Sequence, residues 1–166
     1  MAAWPKRRCD IARASARPLV SDDLERVVAI ERAAFTDPWS RKAFLDLLAQ
    51  PHIRAFAADG PNGLLAGYAL ASLVADQGEI LNLAVDPESR RRGLGHGLLA
   101  AMLDMFRREG AAAVYLEVRQ SNAAALHLYQ RAGFRPLSTR RAYYRNPTEN
   151  AVTMALQLAL EAAEKG

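Results

Sequence analysis

The sequence predicts a single mixed α/β domain built on a central, largely antiparallel sheet, and three observations carry that reading. Two helical patterns come first, an apolar meander with tight turns follows, and from Gly93 onward helix and strand patterns alternate. A chain of 166 residues, 51% of them hydrophobic, is long enough for one domain with a sizeable core and too short for two.

Taken in order, residues 1–17 read as a basic N-terminal extension, 18–160 as the domain, and 161–166 as a short tail. The extension carries Lys6, Arg7, Arg8, Arg13 and Arg17 against Asp10. Since the whole chain has 22 Lys and Arg against 18 Asp and Glu, the excess of positive charge belongs to this arm. Two readings of it stand: an anchor to ribosomal RNA or another polyanion, or a disordered extension. It lacks the apolar core of a secretion signal, and no apolar run approaches the ~20 residues that span a bilayer. A soluble, cytoplasmic protein without a membrane partner is expected. Cys9 is the only cysteine, so neither disulfides nor cysteine catalysis is implied. His52, His96 and His127 are scattered without ligand spacing, so no metal is expected.

Ser21-Asp22-Asp23 starts a helix carrying Leu24, Val27, Val28 and Ile30, and Ser40 opens a second with Ala43, Phe44, Leu47 and Leu48. Strands are then predicted over 53–58, 64–74 and 79–85, with turns at Asp59-Gly60-Pro61-Asn62-Gly63 and Asp76-Gln77-Gly78. A helix over 93–108 buries Leu98, Ala101, Met102, Met105 and Phe106. Val114, Leu116 and Val118 alternate as a strand. Ser121 or Asn122 caps a helix that Gly133 ends in the left-handed position. A strand from Phe134 and a last one over 151–158 complete the chain.

The junction Val85-Asp86-Pro87-Glu88-Ser89-Arg90-Arg91-Arg92-Gly93-Leu94-Gly95-His96-Gly97 leads from a buried strand into a glycine-rich helix start. There the first amides lack intrahelical acceptors and the dipole is positive, which suits a phosphate. A Walker loop is excluded because no lysine lies nearby, and a dinucleotide fingerprint because Leu98 stands where its third glycine belongs. Asn122 and Tyr129, seven residues apart, share one face of the later helix about 10 Å apart.

Arg90-x-x-Gly93-x-Gly95 resembles the pyrophosphate loop of the GNAT superfamily of acetyl-CoA-dependent N-acetyltransferases. The run Leu116-Glu117-Val118-Arg119-x-Ser121-Asn122, continued by Tyr129 and Gly133-Phe134, is similar to that of its N-terminal protein acetyltransferases. So are Asp37-Pro38-Trp39-Ser40, Asn82-Leu83-Ala84-Val85-Asp86-Pro87 and Arg140-Arg141-Ala142-Tyr143-Tyr144. The resemblance implies a GNAT-type sheet splayed between its fourth and fifth strands, with acetyl-CoA as cosubstrate. The backbone of Leu83, Ala84 and Val85 would line the pantetheine, and Asn122 would touch it. Arg90, Arg91, Arg92, Gly93, Leu94, Gly95 and His96 would hold the phosphates.

Glu117 is the implied base, and Tyr129 the acid that protonates the departing sulfur. Each has a plainer reading: Glu117 as a structural carboxylate paired with an arginine such as Arg119, Tyr129 as core packing. Trp39, Tyr143 and Tyr144 resemble acceptor-binding walls, with ordinary packing between the first two helices as the alternative for Trp39. The implied acceptor is the N-terminal alanine of a small-subunit ribosomal protein. An α-amine, with a pKa near 7.7–8.0 against about 10.4 for lysine, is the easier to deprotonate. Acetylation of lysine or of a small-molecule amine is the alternative enzyme, and a non-catalytic acetyl-CoA- or ribosome-binding module the alternative of another class. Asn150 departs from the family pattern, in which an aspartate commonly follows the glutamate.

Overall fold

A computed structural model of the chain describes residues 16–159; the arm before Ala16, with Cys9, and the tail over 161–166 lie outside the described residues. One sheet has the order β1-β2-β3-β4-β5-β7-β6. Its strands are β1 (Ala16–Pro18), β2 (Ile53–Asp59), β3 (Leu65–Val74), β4 (Gln77–Val85), β5 (Ala113–Arg119), β6 (Arg135–Tyr144) and β7 (Glu149–Gln157). Neighbours are antiparallel except β4 and β5, whose parallel pairing requires a crossover. The helices are α1 (Leu24–Ala34), α2 (Arg41–Leu48), α3 (Leu94–Arg108), which makes that crossover, and α4 (Ala123–Arg131). The mixed, mostly antiparallel class agrees with the sequence reading.

Alternation decides which residues face which layer. On one face Ala69, Ala71, Ile80, Val114, Leu116 and Met154 pack under α3 and α4, against Leu98, Met102, Phe106 and Tyr129. On the other, Tyr68, Leu70, Ala57 and Ala84 pack under α1 and α2, against Val27, Ile30 and Phe44. Ser40 caps α2 by accepting from the Ala43 N–H (3.1 Å), Asn122 caps α4 by accepting from that of Ala125 (3.1 Å), and Gly133 follows α4 at φ 102°.

Two local readings change. The turn placed at 76–78 lies one residue earlier: Val74 pairs with Gln77 across Ala75, at φ 53°, and Asp76. Gly78 is a strand residue under the Phe106 ring, which a Cβ would approach to 2.6 Å, so this glycine serves packing rather than a turn. The other change is β1, too short and proline-ended to register as a strand pattern; it brings Ala16 and Arg17 onto Ala58 and Ala57.

Arg17, grouped with the arm by its charge, is bound on both sides. Its guanidinium donates to Asp23 (2.8 and 2.9 Å) and to Asp59 (2.9 and 3.0 Å), tying β1 to α1's entry and to the end of β2. Those bonds hold the Asp23 carboxyl below its ordinary value of 3.8, with burial opposing and the Val20 N–H adding to the effect. A carboxyl depressed on folding contributes stability that is fully present above its unfolded value and is lost as pH falls through the folded one. The melting temperature of the wild type is therefore expected to fall more between pH 7 and pH 3 than that of Arg17→Met, as thermal melts at the two pH values would show.

The feature that positions the site is the parting of β4 from β5. They pair only over Gln77–Ile80 and Ala113–Leu116. Beyond that, Leu81 is an extra residue in the β3 ladder, between the pairs Ala71 with Ile80 and Leu70 with Asn82. The bulge turns β4 while β5 stays on β7 as far as Arg119. From Leu81 to Val85 the edge of β4 that faces β5 carries no neighbouring strand among the described residues, the predicted splay between the fourth and fifth strands.

Candidate active site

The open edge of β4 leads directly to the glycine-rich junction. Asp86 closes the strand by accepting from the Glu88 N–H (3.2 Å), and Arg26 of α1 forms an ion pair with it. Arg91, at φ 64°, and Gly93, at φ 81°, are left-handed, an alternation that turns successive N–H groups to one side. The first helical bond of α3 runs from the Gly97 N–H to the Gly93 carbonyl (3.0 Å). The N–H groups of Leu94, Gly95 and His96 precede it, as donors without an intrahelical partner at the positive end of the dipole. A Cβ on Gly95 would meet nothing nearer than 3.7 Å, so the protein's own packing does not demand glycine there. A backbone left bare at an N–H cluster suits the close approach of an anion. Arg90, Arg91 and Arg92 surround it, all exposed.

Leu83 and Val85 pack toward α3 and α4, and Ala84 toward α1 and α2, so what they present to the opening is main chain. Such an edge can accept an extended ligand as an added strand. Asn122 stands exposed at the start of α4, its Oδ1 occupied by the cap and its amide nitrogen without a partner among the described residues.

Glu117 and Tyr129 lie on opposite sides of β5. Tyr129 belongs to the core under α4, 7% exposed, its ring edge-on to Phe134 at 5.7 Å. Burial above all, and then Tyr144, push its phenol well up, so the hydroxyl stays protonated. Glu117 points to the other face, into a cleft of about 370 Å³ lined by Ser72, Glu79, Tyr115, Arg140 and Thr153 among others. Its partner is Arg140 (2.9 Å), not Arg119, which instead pairs with Glu149 (3.2 Å). Tyr144 links the two sides: burial, Tyr143 and Glu117 raise its phenol to about 12, and it also acts on Tyr129. Arg119 stacks over its ring at 4.5 Å.

Tyr143 is exposed and edge-on to Tyr144 at 5.0 Å, and the neighbouring Glu117 carboxylate is the first cause of its raised pKa. Asn150 accepts from the Ala142 N–H (3.0 Å) and donates to Gln120 (3.4 Å); an aspartate could do only the first. Trp39 is half-buried and packs on Phe44 at 5.5 Å between α1 and α2. That is its packing alternative, and the Trp39 backbone also faces an unexpected partner. Glu31, 1% exposed, accepts from the Trp39 N–H (2.9 Å), from Asn82 (3.0 Å) and from the Tyr68 hydroxyl.

Sequence reasoning missed this carboxylate and the cleft residues Glu79, Arg140 and Thr153. A signal for Glu31 was present: Leu24, Val27, Val28 and Glu31 are the i, i+3, i+4 and i+7 of one apolar stripe. Glu79 had a weaker one, as a polar residue two positions from Gln77. Only the parallel register, which sets Glu79 against Tyr115, brings it near Glu117.

The Acetyltransferase (GNAT) family pattern matches residues 24–134. The chain is 38% identical over 146 residues to the [ribosomal protein bS18]-alanine N-acetyltransferase of Escherichia coli K12, covering 86% of this chain and 96% of that one. It is 40% identical over 142 residues to the N-alpha-acetyltransferase RimI of Mycobacterium tuberculosis, covering 82% and 87%. The crystal structure of the ribosomal-protein-S18-alanine N-acetyltransferase from Escherichia coli superposes with a TM-score of 0.82 at 34% identity over 90% of this chain and 97% of that one. Ard1 from Thermoplasma volcanium superposes at 0.78 with 28% identity, over 87% and 97%. The parted strands, the bare helix start and these likenesses agree on one conclusion: the chain belongs to the GNAT family of acetyltransferases.

Proposed function

We propose that the protein transfers the acetyl group of acetyl-CoA to the α-amine of a protein whose N-terminal residue is alanine, a ribosomal small-subunit protein by its relatives. The observation that carries this reading is the parting of β4 from β5, with a carboxylate on one side of β5 and a protonated phenol on the other. Acetyl-CoA would bind from the α3 side. Its pyrophosphate would lie on the N–H groups of Gly93, Leu94, Gly95 and His96 within reach of Arg90, Arg91 and Arg92, and its pantetheine along Leu83, Ala84, Val85 and Asn122. Trp39, Tyr143 and Tyr144 would border the acceptor on the opposite side.

The chemistry assigned to the chain's residues then balances. Glu117 takes a proton from the acceptor amine, directly or through water, as its nitrogen bonds to the carbonyl carbon. An N–H on the open edge of β4 polarises the carbonyl. As the carbon–sulfur bond breaks, Tyr129 gives its proton to the sulfur. The thioester supplies the activated acyl group.

Mass spectrometry of an alanine-first peptide with one internal lysine, incubated with protein and acetyl-CoA, tests the proposal. Acetyl on the α-amine supports it, and acetyl on lysine overturns it. The phosphate assignment has its own test. Gly95→Glu has room at its Cβ, which meets Leu128, Val85 and Leu83 at 3.7–3.8 Å, and brings a carboxylate beside the N–H groups on which the pyrophosphate would lie, so calorimetry on the folded variant is expected to show at least a tenfold loss of acetyl-CoA affinity. Wild-type affinity would refute the assignment.

A further inference from the structure

The cleft holds a cation of the protein's own where a cationic substrate would have to enter. Arg140 Nη1 lies 2.9 Å from Glu117 Oε1, the arginine side chain 59% exposed and the glutamate 19%. Its guanidinium lies 5.6 Å from the centre of the Tyr143 ring, and the Glu117 carboxylate raises the Tyr143 phenol pKa. Glu79 lines the same cleft, its carboxyl pKa raised by burial first and then by Glu117, with Arg140 opposing. Thr153, opposite Glu117 in the β7 ladder, has a buried Oγ1 without a hydrogen-bond partner among the described residues. Two carboxylates thus face one guanidinium, and the cleft is one positive charge short of neutrality.

A guanidinium does not release a proton in any working range, so while it holds Glu117 that carboxylate is occupied by a cation that cannot react. An acceptor reaching the same oxygen arrives mostly as an ammonium. We propose that Arg140 is a specificity-determining place-holder: the acceptor's primary ammonium enters by exchanging with the Arg140 guanidinium at Glu117, and Glu79 receives the displaced group. The inference rests on the N-terminal acetyltransferase reading above. The exchange completes the charge balance, with ammonium on Glu117 and guanidinium on Glu79; the ammonium then loses one proton to solvent, which an α-amine with a pKa near 7.7–8.0 does readily, so Glu117 is still ionised when it takes the second as the nitrogen attacks. It also selects for cations, since a neutral group offers nothing to replace the arginine. Arg140 can make the move without disturbing the core. It is a long side chain on the edge strand β6, at the point where the β6–β7 register breaks between Arg140 and Tyr144.

The test measures KM and kcat for the alanine-first peptide at saturating acetyl-CoA. In R140A the peptide KM is expected to fall about two- to fivefold, the worth of a partly exposed ion pair, with kcat within twofold. E79Q is expected to raise the peptide KM in the wild type and to do so less in R140A, the coupling that an exchange requires. A raised KM in R140A would make Arg140 a direct acceptor contact and overturn the proposal, as would an unchanged KM or a fall in kcat alone.

A second measurement needs no turnover. The Arg140 Nε–H resonance, assigned by its loss in R140A, is expected to shift on titration with alaninamide and not with neutral N-acetylalaninamide. No shift at saturating alaninamide overturns the exchange. Absence of peptide acetylation by the wild type, with that shift intact, would instead overturn the N-terminal acetyltransferase reading and leave the exchange standing.

Discussion

Glu117→Gln is expected to lower kcat for an alanine-first peptide by about 10²- to 10⁴-fold, the usual worth of a general base, with acetyl-CoA affinity unchanged. Glutamine keeps the shape of the side chain and an oxygen toward Arg140, so the fold and the cleft persist while the proton acceptor is gone. A merely structural Glu117 predicts the reverse: a small loss of stability and little change in turnover. Tyr129→Phe separates catalysis from packing still more cleanly. The Tyr129 ring fills the core beside Phe134, and phenylalanine fills it equally. Its hydroxyl forms no hydrogen bond with any described residue, so removing it costs no native bond. The variant is expected to be as stable as the wild type and slower in kcat by about 100-fold or more. Stopped assays with thermal melts on the same preparations check both. Full turnover in both folded variants would sink the mechanism.

What the sequence showed of this site depended on the reach of each interaction. The glycine-rich junction and the Asn122–Tyr129 helix are local, and both were legible because caps, turns and helical spacing are set by neighbouring residues. Gly78 misled for the same reason. A glycine two residues after an aspartate reads as a turn, and the Phe106 ring that demands it lies 28 residues on, in the crossover helix. Arg17 read as part of a charged arm because Asp59, which receives it, is 42 residues away. The partner of Glu117 was taken from the same strand, as Arg119. Strand alternation puts Arg119 on the same face, but the register of β7 and β6 sets it beside Glu149 and brings Arg140 to Glu117. Pairing across strands is fixed by the ladder, which spacing along the chain does not reveal.

The buried carboxylate sets the largest stability effect. Glu31→Ala is expected to destabilise the protein by about 3–5 kcal/mol, because it takes the acceptor from three donors, Tyr68 fully buried and Asn82 and Trp39 partly so, and opens a cavity among them. Against a typical total of about 5–15 kcal/mol, that leaves a marginal fold. Burial first, and the Glu31 charge second, keep the Tyr68 phenol protonated as a donor. Asn82 can turn to Tyr68 alone, at 3.3 Å, but the Trp39 N–H has no second acceptor among the described residues. Glu31→Gln offers one oxygen to the same three donors and is expected to cost less, about 1–3 kcal/mol. Glu25, earlier on the same helix α1, is the control. It is 75% exposed and paired with Arg41, so Glu25→Ala is expected to stay within about 1 kcal/mol. The three variants in one urea-denaturation series decide the matter. A loss of midpoint that is greatest for Glu31→Ala, smaller for Glu31→Gln and smallest for Glu25→Ala supports the network, and equal midpoints refute it. The network also joins the Trp39 loop to β4 beside the bulge at Leu81. Folded Glu31→Gln is therefore expected to raise the peptide KM more than it alters acetyl-CoA affinity, since the carboxylate holds the Trp39 loop proposed to border the acceptor, away from the Gly93–His96 amides proposed to hold the pyrophosphate.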